Sequence, residues 1–331
     1  MRRVVPWLLL FLFASLAPAR AAVAPPAGLA FVINSAQASI SLVDVGTYRE
    51  IRRIPVLREP HHMALTPDHR FLLVGDTTGN QVLYLDPETG RVRRRVAIVD
   101  PYQLVFSPDG RWLTIAGLAR NQVDVYAVRD DDTLQLVRRF PMRTMPSHIN
   151  YAPDSSVVYI SLQQTGRVAA IDIASLSVLW DARVGDTPAG VLWHDGVVLV
   201  GLMGEDCVAV VDPVDGHVER CIHTGQGAHV LFVPPSGSPI YVTNRVAGTI
   251  VSLDPQSLAV TARWRIGGGP DDLDFGPGGL MWVTRRFAHS VAVIDPATGD
   301  VLHTIEVGRS PHGIWLNTHD RFPAPFSLSA R

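Results

Sequence analysis

Apolar and polar residues alternate in short runs along this chain, and the runs come in sets of four. After Pro60 they read HHMALTP, FLLVGDT, QVLYLDP and VRRRVAI, broken by Pro67-Asp68-His69-Arg70 and by Asp86-Pro87-Glu88-Thr89-Gly90. Proline presets φ for such a turn and Asp or Gly completes it. Alternating β-branched runs between regular turns predict antiparallel four-stranded meanders. One phrase closes the third run of each set: SLVD at Asp44, YLDPETG at Asp86, a degenerate VYAVRDD at Ala127, AIDIAS at Asp172, VVDPVDG at Asp212, SLDPQS at Asp254 and VIDPATG at Asp295. The spacings are 42, 41, 45, 40, 42 and 41 residues. A β-type repeat of this period predicts an all-β, seven-bladed propeller with four-stranded antiparallel blades.

The first run of each set, expected to line the central axis, aligns on Pro60, Pro101, Pro146, Pro188, Gly227, Pro270 and Pro311. Three positions on stand Met63, Leu104, Ile149, Val191, Val230, Leu273 and Ile314; five on stand Leu65, Phe106, Tyr151, Trp193, Phe232, Phe275 and Leu316. Positions of equal parity share one face of a strand, so these residues predict the packing between blades. The seventh first run, PHGIWLN, has no three runs after it, whereas residues 29–56 supply three with no first run before them. Joining the two closes the ring and removes the exposed edge.

The N-terminus changes the setting. Arg2-Arg3, the apolar VVPWLLLFLFASLA and the small-x-small Ala19-Arg20-Ala21 read as a cleaved export signal over residues 1–21. Residues 22–319 are then the propeller and residues 320–331 a tail that continues no pattern. The expected location is periplasmic or secreted, without a membrane span, and a monomer is expected. All 29 basic residues are Arg and the net charge is −2. Absence of Lys excludes Schiff-base chemistry and a P-loop lysine. No basic block offers a footprint for nucleic acid.

IYVTNRVAGTIVSLDP from Ile240 to Pro255, FSPDGRWLTIAG and FLLVGDTTGNQVLYLDPETG resemble the repeats of the YVTN-repeat (YncE-like) propellers, and the resemblance covers the whole mature chain. That family is similar to the d1-haem domain of cytochrome cd1 nitrite reductase and to surface-layer propellers, and more distantly to propeller lactonases and streptogramin lyases. It implies the fold and not one activity, because propellers host unrelated functions.

Two groups of residues carry candidate chemistry. Cys207 and Cys221 lie symmetrically about Val214 of the DPVDG turn. That places them opposite each other on a hairpin, as a disulfide in an oxidising compartment; two free thiols are the alternative. Without a CxxCH there is no covalent c-type haem. Five of the twelve histidines, His61, His62, His148, His229 and His312, share the start of the first run with Tyr102, Gln103, Asp271 and Asp272. Equal register in rotated blades means equal height, so these residues should ring one channel mouth. Loops on the same face add Arg285, along with Arg245, Arg286, His289, Glu205 and Asp206. Imidazoles and carboxylates converging there suit a tetrapyrrole, a divalent metal, or acid–base work. The competing reading gives each His a structural bond within its own blade. No G-x-S-x-G or H-E-x-x-H motif is present, so the sequence leans toward a small-molecule, cofactor or protein binder rather than an enzyme. A d1-haem-like tetrapyrrole binder and a metal-dependent lactonase- or lyase-like enzyme are the alternatives.

Overall fold

The computed structural model describes residues 28–318. The expected leader and the tail lie outside the described residues. Seven four-stranded antiparallel sheets form the ring. Six are built from consecutive strands, over residues 60–97, 103–141, 146–183, 188–223, 228–265 and 270–306, and are called here blades one to six. Blade seven joins the C-terminal strand Pro311–Thr318 to Gly28–Asn34, Ser39–Asp44 and Arg49–Pro55. The junction is antiparallel, with Leu29 opposite Asn317 and Ala30 opposite Leu316. No helix among the described residues is long and apolar enough to cross a membrane.

The core sits between blades rather than within them. Ile149, Tyr151, Val158 and Ile160 of blade three meet Ala116, Val123 and Val125 of blade two. Ile314 and Leu316 of blade seven meet Trp282, Val291 and Val293 of blade six. A sheet buried on both faces reads as near-continuous apolar sequence, and the second and third strands of every blade do so. The recurring aspartates sit at turns as their phrase implies: Asp86 Oδ1 accepts the backbone N–H groups of Glu88 and Thr89 at 3.0 and 2.9 Å.

Two sequence alignments need correction. Ala228 pairs with Asn244 as Pro270 pairs with Arg285, so blade five is phased one residue later than Gly227 implies. Leu231 therefore joins the core in place of Val230. The reason is backbone shape. Gly227 has φ of 73° and matches the left-handed Asp100, Met145, Thr187, Gly269 and Ser310 at the equivalent place in five of the other six blades. It belongs to the loop, and Ala228 stands where the other blades have proline.

The cysteine register is also offset. Cys207 lies opposite His223, and Cys221 opposite Ala209, with a bulge between Val210 and Val211. A bulge puts two residues against one and shifts everything beyond it. The same irregularity recurs in the outer hairpin of every blade, for example at Tyr84/Leu85 and Val293/Ile294. The disulfide nevertheless forms diagonally, with a Cα–Cα distance of 5.8 Å. Cys207 is buried while Cys221 is exposed. Replacing both cysteines by serine should cost about 2–3 kcal/mol, the range for closing a short loop. Chemical denaturation of the oxidised protein beside the variant measures it, and equal midpoints would refute it.

Candidate functional site

The first strand of every blade except blade two begins with a distortion. Pairing is regular at Pro60 and again from Met63 in blade one, at Pro146 and from Ile149 in blade three, and at Pro311 and from Ile314 in blade seven. The two intervening residues are released from the ladder, and bulges of this kind re-aim side chains. His61 and His62, Ser147 and His148, and His312 and Gly313 occupy those positions, and in blade five His229 and Val230 do.

The result is a closed ring of imidazoles at the axis. His62, His148, His229 and His312 come from blades one, three, five and seven. Successive ring centroids are 5.3, 5.3, 6.1 and 4.7 Å apart around the circuit. His61 lies beside them, 4.9 Å from His312 and 4.5 Å from Tyr102. These rings are not confined to separate blades.

Asp271 of blade six organises one side of the ring. Fully buried, it accepts from His312 Nδ1 at 2.6 Å on Oδ2, while His229 Nδ1 lies 3.0 Å from Oδ1 and donates to the Asp271 backbone carbonyl at 3.3 Å. Arg245 Nε donates to the carboxylate at 2.8 Å and Arg286 Nη1 at 2.9 Å. Burial works against its charge, but His312, His229 and Arg245 outweigh burial and hold the carboxyl well below its usual range. These bonds also set the tautomers. His229 gives its Nδ1 proton to Asp271, so its Nε2 accepts from Arg245 Nη2 at 2.6 Å. His312 likewise keeps a lone pair on Nε2, which faces His62 Nε2 at 3.2 Å.

All four imidazoles are neutral at pH 7. Burial and then the neighbouring rings hold His62 and His148 well below the ordinary histidine value. Burial and Arg245 lower His229. Burial takes His312 down to about 3 against the pull of Asp271. Burial pushes the Tyr102 phenol up to about 12, so it stays protonated. Among the described residues, two buried imidazole nitrogens have no partner: His148 Nε2 and His61 Nδ1. The other nitrogen of each is engaged, His148 Nδ1 with Ser147 Oγ at 3.2 Å and His61 Nε2 with Glu59 Oε1 at 3.2 Å.

Three expected members make bonds of their own outside the imidazole ring. Gln103 Oε1 accepts the backbone N–H of Ile149 at 2.5 Å, which ties blade two to blade three. Asp272 is half-buried; its Oδ1 accepts the N–H of Leu273 at 2.9 Å, and burial, then Asp271, raise its carboxyl well above the usual range. Arg285 turns back along blade six to Ser290 and Thr304, at 3.1 and 3.2 Å. Its neighbour Arg286 is the one that reaches Asp271.

Supporting residues also lie outside the first strands. Thr243 Oγ1 donates to the backbone carbonyl of Asp271 at 3.0 Å, and Thr284 Oγ1 to that of His312 at 2.8 Å. Each hydroxyl thereby clamps the site-bearing residue of the following blade. At the matching place in blade four, a side chain on Gly201 would begin 2.6 Å from the His229 carbonyl, so only glycine fits. A period-two reading of the second strands shows these positions as small or hydroxylic, but not what they touch.

A family model described as a YNCE-like beta-propeller matches residues 4–323. The chain belongs to that family. Among solved structures, this YncE-like propeller is similar to dihydro-heme d1 dehydrogenase NirN in complex with DHE, with 16% identity, a TM-score of 0.67, and coverage of 93% of this chain and 78% of that one. It is similar to the Pseudomonas aeruginosa periplasmic gluconolactonase PpgL, with 19% identity, a TM-score of 0.67, and coverage of 87% and 99%. It is also similar to Kuenenia stuttgartiensis hydrazine synthase, with 19% identity, a TM-score of 0.63, and coverage of 77% and 88%. At these identities the likeness shows the fold alone. No curated protein sequence matches the chain significantly.

Proposed function

We propose that this YncE-like propeller is an exported binding protein that holds a small ligand or cofactor on the imidazole-lined mouth of its channel. The observation that carries this reading is the convergence of four neutral imidazoles on the axis, accompanied, among the described residues, by two buried imidazole nitrogens without partners. A structural histidine satisfies both nitrogens within its own blade, because an unpaired buried polar atom costs about 1–3 kcal/mol. Such a cost persists where function needs it. The leader-like residues 1–21 and the disulfide support an oxidising, periplasmic setting.

A tetrapyrrole is the second reading. His148 Nε2, unpartnered and neutral, favours it, and NirN, similar in fold, is a dihydro-heme d1 dehydrogenase. The imidazoles stand too close together for a macrocycle to enter the ring, so it would lie over the mouth with one imidazole as axial ligand. Absorption and native mass spectrometry of protein recovered from the periplasm test both readings. The expected result is a retained non-protein mass that His148→Ala loses while its melting temperature holds. A Soret band identifies the tetrapyrrole. Protein with no retained mass, and no melting shift against a panel of metals, tetrapyrroles and organic acids, would overturn the proposal.

A further inference from the structure

Of all the titratable clusters among the described residues, one brings three imidazoles to a common point. One ring nitrogen from each of His61, His62 and His312 lies within 4.8 Å of the other two, and all three residues are at least nine-tenths buried. The facing nitrogens of His62 and His312 are 3.2 Å apart. Two imidazoles on one tetrahedral ion, each with a metal–nitrogen distance of ~2.0–2.1 Å, put their nitrogens about 3.4 Å apart.

From this we infer that His61, His62 and His312 form a binding site for a divalent transition-metal ion of the zinc or copper class, with an open fourth position. The inference rests on the reading of the mouth as a binding site and names the ligand chemistry there. Two features beyond the cluster support it. Both outer rings are oriented by carboxylates, His312 Nδ1 by Asp271 Oδ2 at 2.6 Å and His61 Nε2 by Glu59 Oε1 at 3.2 Å. A carboxylate behind a histidine is the usual outer partner of a metal-bound imidazole, and it leaves the inner nitrogen as a lone pair. In His61 the other ring nitrogen, Nδ1, is buried and has no partner. Imidazole-only donors select zinc, copper or nickel over calcium and magnesium, which prefer oxygen. Glu59, the partner of His61, also lines a solvent cleft of about 570 Å³ with Arg58, Thr78 and Arg309.

The other candidates offer less. The cleft of about 530 Å³ on the opposite face, between Pro234–Ser238 and Gly276–Gly279, has no imidazole, carboxylate or cation in its lining. The cluster of Glu205 with Cys207 and Cys221 has its sulfurs committed to each other.

The test uses full-length protein stripped with a chelator and titrated with Co²⁺, followed by visible absorption, then by Zn²⁺ displacement. The expected result is one equivalent bound, with the visible bands of a low-coordinate cobalt site. His61→Ala and His312→Ala should bind at least ~100-fold more weakly, while His217→Ala, exposed at an outer turn, should bind as the wild type does. If His312→Ala fails to fold, Glu59→Gln decides: it keeps all three rings, should melt normally, and should bind about 10–100-fold more weakly. Absence of uptake by the wild type, or equal uptake by wild type, His61→Ala and Glu59→Gln, would overturn the metal site. A retained organic ligand without metal uptake would overturn it too, while leaving the mouth reading in place.

Discussion

Deleting residues from Pro311 onward should abolish the cooperative melting of the whole propeller. Pro311–Thr318 is the innermost strand of a blade whose other three strands come from the opposite end of the chain. Its loss exposes the edge of Gly28–Asn34 and opens two inter-blade cores at once. Ile314 and Leu316 leave the cluster with Trp282 and Val293. Trp315 leaves Phe31, whose ring centroid is 5.6 Å away. At about 1.5–3 kcal/mol for each large buried side chain, Ile314 and Leu316 alone contribute about 3–6 kcal/mol, a large share of the ~5–15 kcal/mol net stability of a whole domain. Cross-links to the rest of the ring go too, including the bond from Leu316 N to Asp274 Oδ2 at 2.7 Å and that from Asn317 Nδ2 to the Pro87 carbonyl at 3.0 Å. Differential scanning calorimetry makes the comparison, with a deletion of residues 320–331 alone as the control. A truncated chain that melts as the full one does would show that the closure carries no stability.

The second large effect is expected at Asp271. Changing it to Ala removes the one anion between two guanidinium groups and two imidazoles, all less than a quarter exposed. Breaking a buried ion pair by deleting one partner costs about 3–5 kcal/mol, because the other charge stays behind uncompensated. Asp271→Ala should therefore lower the unfolding free energy by about that amount. Asp271→Asn, which keeps the shape but not the charge, should lose less. Urea denaturation distinguishes the outcomes; a loss of under about 0.5 kcal/mol for the alanine variant, a typical surface value, would mean that the arginines are satisfied without Asp271.

Much of the architecture was legible because a propeller repeats its sequence signals with its geometry. The Asp-Pro turns, the apolar pairs such as Leu273 and Phe275, and the unpaired runs at the two ends needed no structure to interpret. Bulges were not legible. An extra residue in a strand leaves no mark on composition, so Cys207 and Cys221 read as direct partners when they are diagonal. The same blindness affected the mouth. His62 and His148 lie two residues past their proline, while His229 lies one past Ala228, which has taken the proline's place. The start-of-strand bulge lets both positions reach the axis. Arg285 and Arg286 are equivalent in charge and adjacent in sequence, and only the loop's backbone decides which of them meets Asp271. Glu59 carried no signal except its place two residues before His61.

Seven is an odd number, and that has a consequence at the mouth. Imidazoles contributed by every second blade cannot alternate all the way around an odd ring; one pair must come from neighbours. Here the neighbours are blades seven and one, and their rings, His312 and His62, are the tightest pair in the circuit at 4.7 Å. This frustrated step starts from Pro311–Thr318, the last described strand, whose pairing with Gly28–Asn34 closes the ring. An ion held there would clasp the only joint in the ring with no continuous polypeptide through its innermost strands. Loading the mouth and keeping the circle shut would then be a single equilibrium, with occupancy acting as the latch.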